Sequence, residues 1–243
     1  MLRNIYNPLR VIIDMKSVNQ KLENIYQTLL KAYGSQGWWP VFNDTTGKIE
    51  YHKNDYSLPK NEQQRFEISV GAILTQNAAW KNVEASLYNL RTATVLSKNK
   101  IKNIEKERLG ELIKSSVYHN QKTKKLKLFV DFLEKNNEIT RESLLKVWGV
   151  GPETADSILL YAYKKPIFVV DAYTKRIFSR MGLTQKDATY DDMQQLFMKN
   201  LSNDVTLFNE YHALLVEHAK QYCKVKPLCK HCPLNKMCKK IIQ

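Results

Sequence analysis

Four cysteines, Cys223, Cys229, Cys232 and Cys238, fall within the last 21 residues of the chain, and the preceding 222 residues contain none. A disulfide framework staples a whole small secreted domain, whereas four thiols in one short stretch suit a single metal ion or cluster. The spacing is C-x5-C-x2-C-x5-C. Structural zinc usually shows two close cysteine pairs, and only Cys229 and Cys232 form one here. Thiolates on both sides of a single C-x2-C suit a cuboidal iron–sulfur cluster, which takes four cysteine ligands. Spacing alone favours the cluster and leaves zinc open. Lys224, Lys226, Lys230, Lys236, Lys239 and Lys240 decorate the same loop, as a solvated basic tail or a surface that faces phosphates.

A second constellation lies upstream. Residues 144–155 read LLKVWGVGPETA. The pattern predicts a helix that ends at Trp148, a turn through Gly149, Val150 and Gly151, and a new helix opened by Pro152, whose missing N–H is harmless there. Glycines let a backbone approach another molecule closely, and free N–H groups at a helix start favour an anion. Val150 is expected to point into the core. A G-x-G alone fits any helix–helix turn, so the context decides. Residues 166–176 read PIFVVDAYTKR, and Asp171, after an apolar run and before a helical pattern, has the position of an N-cap.

The elements that must position these groups are helical. Phe66, Val70, Ile73 and Leu74 follow helical spacing, as do Ala155, Ile158, Leu159 and Ala162, then Phe208, Tyr211, Leu215 and His218. No alternating strands and no fixed-period repeat emerge, so the fold class is all-α. Residues 43–61 are expected to form a loop, and residues 1–18 an appended segment with no assigned place. The 243 residues, 43% hydrophobic and 26% charged, suffice for one large domain or two small ones. Lysine and arginine number 38 against 24 acidic residues, a net charge of +14 that points to polyanions, with an acidic membrane surface as the rival partner. No apolar run approaches the roughly 18 residues of a spanning helix, and no signal-peptide pattern follows the first methionine. A soluble intracellular protein, of cytoplasm or nucleoid, is expected.

The hairpin, the apolar run ending in Asp171, the basic helix and the four-cysteine loop together resemble the helix-hairpin-helix DNA glycosylases of the endonuclease III superfamily. The resemblance runs from about Phe66 to Cys238. It implies two helical domains flanking a DNA-binding cleft: a segment 1–57 packing with the C-terminal part, a six-helix domain 58–166 with its helix-hairpin-helix at 143–163, and C-terminal helices with a [4Fe-4S] loop over 167–243. The loop has one residue fewer between Cys223 and Cys229 than the commonest family spacing, and all four ligands remain. By the resemblance Asp171 is the catalytic carboxylate, Gln76 fills the gap left by a flipped base, and Asn77, Gly149, Val150, Gly151, Thr154 and Lys122 contact DNA. Double-stranded DNA is the implied partner and a monomer the implied state, with no obligate protein partner and no membrane.

One departure bears on the reaction. Where strand-cleaving members carry a lysine nucleophile before the Thr-Ala of the hairpin, this chain has Glu153, and a carboxylate cannot form a Schiff base. Monofunctional hydrolysis to an abasic site is expected, with Lys220 the lysine to watch. Gly37-Trp38-Trp39-Pro40, the segment 66–84, Glu153 and residues 216–221 resemble the 3-methyladenine DNA glycosylase III branch, some members of which lack the cluster. A cationic alkylated purine is attracted to aromatic faces and carboxylates. The resemblance thus implies a base pocket of Trp38, Trp39, Pro40 and Lys220, with Glu153 favouring the cation; core packing is the plain alternative for the tryptophans. Rival readings are the same hydrolysis on uracil, mismatched thymine or an oxidised purine, and a non-catalytic DNA-binding module.

Overall fold

A computed structural model describes residues 8–242, with side chains from Ser17 onward. Of the appended segment 1–18, residues 1–7 lie outside the described residues, and Pro8 opens a long helix. In chain order the elements are α1 (Pro8–Tyr33), β1 (Val41–Asn43), β2 (Lys48–Glu50), α2 (Glu62–Leu74), α3 (Trp80–Thr92), α4 (Lys98–Asn103), α5 (Lys106–Leu112), α6 (His119–Lys135), α7 (Arg141–Leu145), α8 (Pro152–Ser157), α9 (Ala172–Met181), α10 (Tyr190–Asn200) and α11 (Val205–Gln221). The chain is all-α in class, and it divides into two compact units. One comprises the chain up to Gln36 together with Val170 onward, and the other comprises Gly37–Val169.

In the first unit α1 packs on α10 and α11, and α11 packs on α9. Leu22, Ile25 and Leu29 recur at helical spacing on α1 and are fully buried. Each such side chain contributes roughly 1.5–3 kcal/mol when removed from water. Phe197 stands edge-on to Phe178 at 4.7 Å and to Tyr211 at 5.6 Å, and the Tyr211 hydroxyl donates to the Leu22 carbonyl at 2.9 Å. The turn after α1 is held by buried Glu210, which accepts from the Ser35 hydroxyl (3.0 Å) and the Gln36 N–H (2.7 Å).

In the second unit α2 is the central element, buried from Phe66 to Leu74 and packed against α3, α6 and α8. The stretch expected as a loop at 43–61 begins instead as the turn and second strand of a small hairpin, with β1 antiparallel to β2 and Val41 opposite Glu50. Its polar residues build the turn: Asn43 Oδ1 accepts the Thr45 N–H at 2.9 Å, and Gly47 takes the left-handed φ of 67°. Two three-residue strands are too short to show as an alternating pattern. Glu67 anchors the hairpin by accepting the Phe42 N–H at 2.8 Å, and one helical turn later Gly71 makes room for the Trp39 indole. A Cβ at Gly71 would lie 3.2 Å from Trp39 Nε1.

Burial pushes the Glu67 carboxyl up from 4.5 to about 7, against the opposing pull of the Phe42 N–H and the Arg91 charge. Between those values the unfolded chain has released a proton that the folded chain keeps, so folding stability falls as pH rises from 4.5 to about 7 and stays reduced above. The span is worth roughly 3 kcal/mol. Glu67→Gln keeps an acceptor for Phe42 but has no proton to lose. Thermal melts should show the variant and the parent close together near pH 4.5, and the variant progressively more stable as pH approaches 8.

Candidate functional site

Asp171 stands at the start of α9, after an extended run in which Phe168, Val169 and Val170 are buried. Its Oδ1 accepts from the Thr174 N–H at 2.7 Å and the Thr174 hydroxyl at 2.8 Å, so the N-cap reading holds. The other oxygen, Oδ2, faces His212 Nε2 of α11 at 3.7 Å, with both side chains little exposed. Burial would raise this carboxyl, but His212 and the Thr174 donors outweigh it and hold it below the usual carboxylate range. One residue is therefore both a helix cap and an ionised carboxylate with an oxygen in reserve. Sequence reasoning missed His212, because 41 positions separate it from Asp171 and no local pattern marks it.

The glycine hairpin forms as expected, though α7 ends at Leu145, three residues before Trp148. The turn closes through Val150 N–H to the Val147 carbonyl at 3.0 Å, and Val150 is 6% exposed, inside as predicted. Gly149 has φ 82°, and a Cβ there would meet the Lys125 side chain at 2.5 Å, whereas Gly151 opens onto free space. Gln76 is brought to this hairpin: its Nε2 donates to the Gly149 carbonyl (3.0 Å) and to Thr154 Oγ1 (2.8 Å), and its Oε1 accepts from Lys125 Nζ. Thr154 is thus buried and bonded to Gln76, while Asn77 is exposed. Lys124 lies over the exposed Trp148 ring, 4.1 Å from its centroid.

Lys122 departs from the phosphate contact expected of it. It is 2% exposed, and its ammonium donates inward to the Leu74 carbonyl at 2.8 Å and to the Ser116 carbonyl. Burial, reinforced by the Lys125 charge, pushes it down to about 8. It ties together the ends of two loops, one leading to Gln76 and one leading to α6. Lys125, a turn further along, is the lysine placed beside the hairpin.

The tryptophans form an aromatic cluster. Trp39 is 8% exposed, edge-on to Trp80 at 5.3 Å and tilted against Tyr161 at 5.1 Å; Trp38 reaches Tyr161 at 6.2 Å. Tyr161 sits in a π-helical turn, Ile158–Ala162, that continues α8. Trp39 and Pro40 are therefore packed inside rather than forming an open wall, and Trp38 is the more exposed indole. Glu153 is exposed in the first turn of α8. Lys220 is exposed in the last turn of α11, about 12 Å along the helix from His212 at 1.5 Å per residue, and so is not gathered beside Asp171.

The four cysteines follow α11 and border one cavity with Ile177, Met181 and Leu234. Burial pushes the Cys232 and Cys238 thiols up, and the neighbouring cysteines add to the effect. Arg180 Nη1 donates to Cys223 Sγ at 3.4 Å, and the Lys240 N–H to Cys238 Sγ at 3.3 Å. Arg176 and Arg180 also bind the carbonyls of Cys223, Lys224 and Val225. His218, buried and pushed down to about 4 by that burial, lies between the Tyr33 hydroxyl (2.9 Å) and Cys232 Sγ (3.6 Å). Among the described residues no three His, Cys, Asp or Glu converge to chelate a single ion. Clustered thiols supplied with N–H donors around an apolar cavity fit a larger, thiolate-bound group.

Helical units, a glycine hairpin, a capped carboxylate opening a basic helix and a terminal cysteine loop define a helix-hairpin-helix protein of the DNA-repair type. The sequence pattern of the HhH-GPD superfamily of base excision DNA repair proteins matches residues 70–203, and the chain belongs to that family. A chain of Methanocaldococcus jannaschii, assigned to the DNA repair glycosylases, is 41% identical over 232 residues, 90% of this chain and 96% of its own length. The structure of H. pylori 3-methyladenine DNA glycosylase bound to 1,N6-ethenoadenine matches with a TM-score of 0.65 and 29% identity, over 85% of this chain and 97% of that one. A trapped endonuclease III–DNA covalent intermediate has the same fold, with a TM-score of 0.74 at 18% identity over 91% of this chain and 96% of that one.

Replacing Lys122 by Met strands two buried carbonyls, at about 1–3 kcal/mol each. Urea denaturation should show the variant destabilised by about 2–5 kcal/mol. Lys125→Ala, which loses one bond to Gln76, should cost only about 1 kcal/mol and lower the slope of log DNA affinity against log salt by about 1. The opposite assignment of effects to the two lysines would return Lys122 to the DNA surface.

Proposed function

We propose that this glycosylase hydrolyses the N-glycosidic bond of an alkylated purine such as 3-methyladenine in double-stranded DNA, and leaves an abasic site without cutting the strand. The observation that carries the reaction is Asp171: one oxygen is committed to the helix cap, and the other belongs to a carboxylate kept ionised. Loss of a base develops oxocarbenium-like charge on the sugar, and a fixed carboxylate stabilises that charge or orients the attacking water. The target base must first leave the stack. Backbone groups around Gly149 and Gly151, with Lys125 beside them, would hold the phosphodiester strand. Asn77, exposed in the following loop, and Gln76, once released from the hairpin, would occupy the vacated gap. The carboxylate of Glu153 cannot form an imine with the opened sugar, so water is left as the nucleophile.

The alkylated base is supported by the likeness to the 3-methyladenine glycosylase and by Glu153, an exposed carboxylate suited to a cationic purine. The enclosed packing of Trp39 favours a second reading, the same hydrolysis on uracil, mismatched thymine or an oxidised purine. A merely DNA-binding module has no use for an ionised carboxylate with an oxygen in reserve. Cys223, Cys229, Cys232 and Cys238 would hold a [4Fe-4S] cluster, which when bound cross-links the terminal loop. Arg176 and Arg180 brace that loop from α9, and its lysines offer charge to the DNA backbone. The protein is read as an intracellular monomer without an obligate protein partner; among the described residues no helix is long and apolar enough to cross a membrane.

A single-turnover assay on duplexes carrying methylated purines, uracil or oxidised guanine, each product run with and without alkali, tests the whole reading. Release of 3-methyladenine with breaks only after alkali is the expected result; breaks without alkali would mean that a lysine acts as nucleophile. Asp171→Asn should lower excision at least a hundredfold, about 3 kcal/mol of barrier, while DNA affinity stays within a few fold. Purified protein should contain four irons and four sulfides per chain, and zinc in their place would overturn the cluster.

A further inference from the structure

The geometry points to His212 as a positioning residue for Asp171, one that keeps the working oxygen of the carboxylate aimed and charged. This inference rests on the proposed role of Asp171 and goes beyond it. A carboxylate pinned through Oδ1 alone can still swing its second oxygen about the capping bonds. The side chain that meets Oδ2 comes from a different element, α11, at 3.7 Å from Nε2. That distance is longer than a direct hydrogen bond, yet short enough for the N–H dipole, joined by the ring's charge whenever it is protonated, to attract the carboxylate. His212 is 5% exposed, and α11 packs directly on α9, so the ring is held in place. The groups that act on the Asp171 carboxylate are Thr174 from its own helix and His212 from α11; the α10 side contributes the Tyr190 hydroxyl, which accepts the Val170 N–H at 3.4 Å.

Histidine suits this place for a chemical reason. Lysine or arginine would neutralise the carboxylate permanently, and the transition state needs its negative charge. An apolar residue would leave Oδ2 unsupported in a buried setting, which favours the protonated carboxylic acid. An imidazole offers an N–H without a permanent positive charge. Removing it should therefore let the Asp171 carboxyl rise, and the acid limb of the excision profile should move to higher pH.

The test is the single-turnover rate against pH for the parent, His212→Phe, His212→Asn and His212→Gln, with DNA affinity measured beside each. Phe and Asn, which have no N–H that reaches Oδ2, should shift the acid limb upward and slow excision at neutral pH by about 10- to 100-fold, with DNA affinity within twofold. Gln, which places an N–H at the reach of Nε2 and carries no charge, should restore the low acid limb and most of the rate. If Phe fails to fold, Asn carries the comparison. An acid limb that stays put in Asn, or that rises equally in Gln, would overturn the inference, as would a loss of DNA affinity in step with rate. Asp171→Asn separates the two levels. If it remains active, the reading of Asp171 fails; if it is inert while the His212 variants behave as the parent, only the role of His212 fails.

Discussion

The division of labour between the two oxygens of Asp171 is the constraint on which most else depends. Oδ1 starts α9 by taking the Thr174 donors, and the helix so started carries Arg176 and Arg180 along its body. Those arginines hold the carbonyls of Cys223, Lys224 and Val225, so the capped carboxylate and the cysteine loop share one rigid element. A cap of this kind is worth about 1 kcal/mol, a modest term that nevertheless sets where the helix begins. Because the cap consumes only one oxygen, the same residue satisfies the helix and remains available for chemistry.

The second unit solves a different problem, how to fix three loops without covering them. Lys122 draws the Leu74 and Ser116 carbonyls onto one buried ammonium, and Lys125 and Gln76 bind the next loop to the hairpin at Gly149 and Thr154. A buried charge is costly unless it is fully hydrogen-bonded, and the lowering of Lys122 to about 8 expresses that tension. Gln76 rests on the hairpin, so the gap-filling role proposed for it would require exchange of these bonds for bonds to DNA.

Much of this architecture is legible in the order of the residues. The helical spacing, the Gly149-Val150-Gly151 turn before Pro152, the cap at Asp171 and the cysteine spacing are local signals, each governed by groups within a few residues of one another. Val150 enters the core and Asp171 caps its helix as those signals require. The small hairpin at residues 41–50 is not legible, because its strands are shorter than the period that reveals strands.

What the sequence alone determined was the helical class, the membership of a DNA-repair family, and the residue types present: an aspartate after an apolar run, four thiols in the terminal stretch, and a glutamate in the glycine hairpin. Only the tertiary structure decided which lysine is buried under the loops and which lies half-buried beside the hairpin, since Lys122 and Lys125 share a helix and a side-chain chemistry. It also decided that Trp39 is enclosed by Trp80 and Tyr161 while Trp38 is more open, and that His212 meets Asp171. Burial and through-space contact depend on how distant elements pack, and no local pattern of residues encodes them.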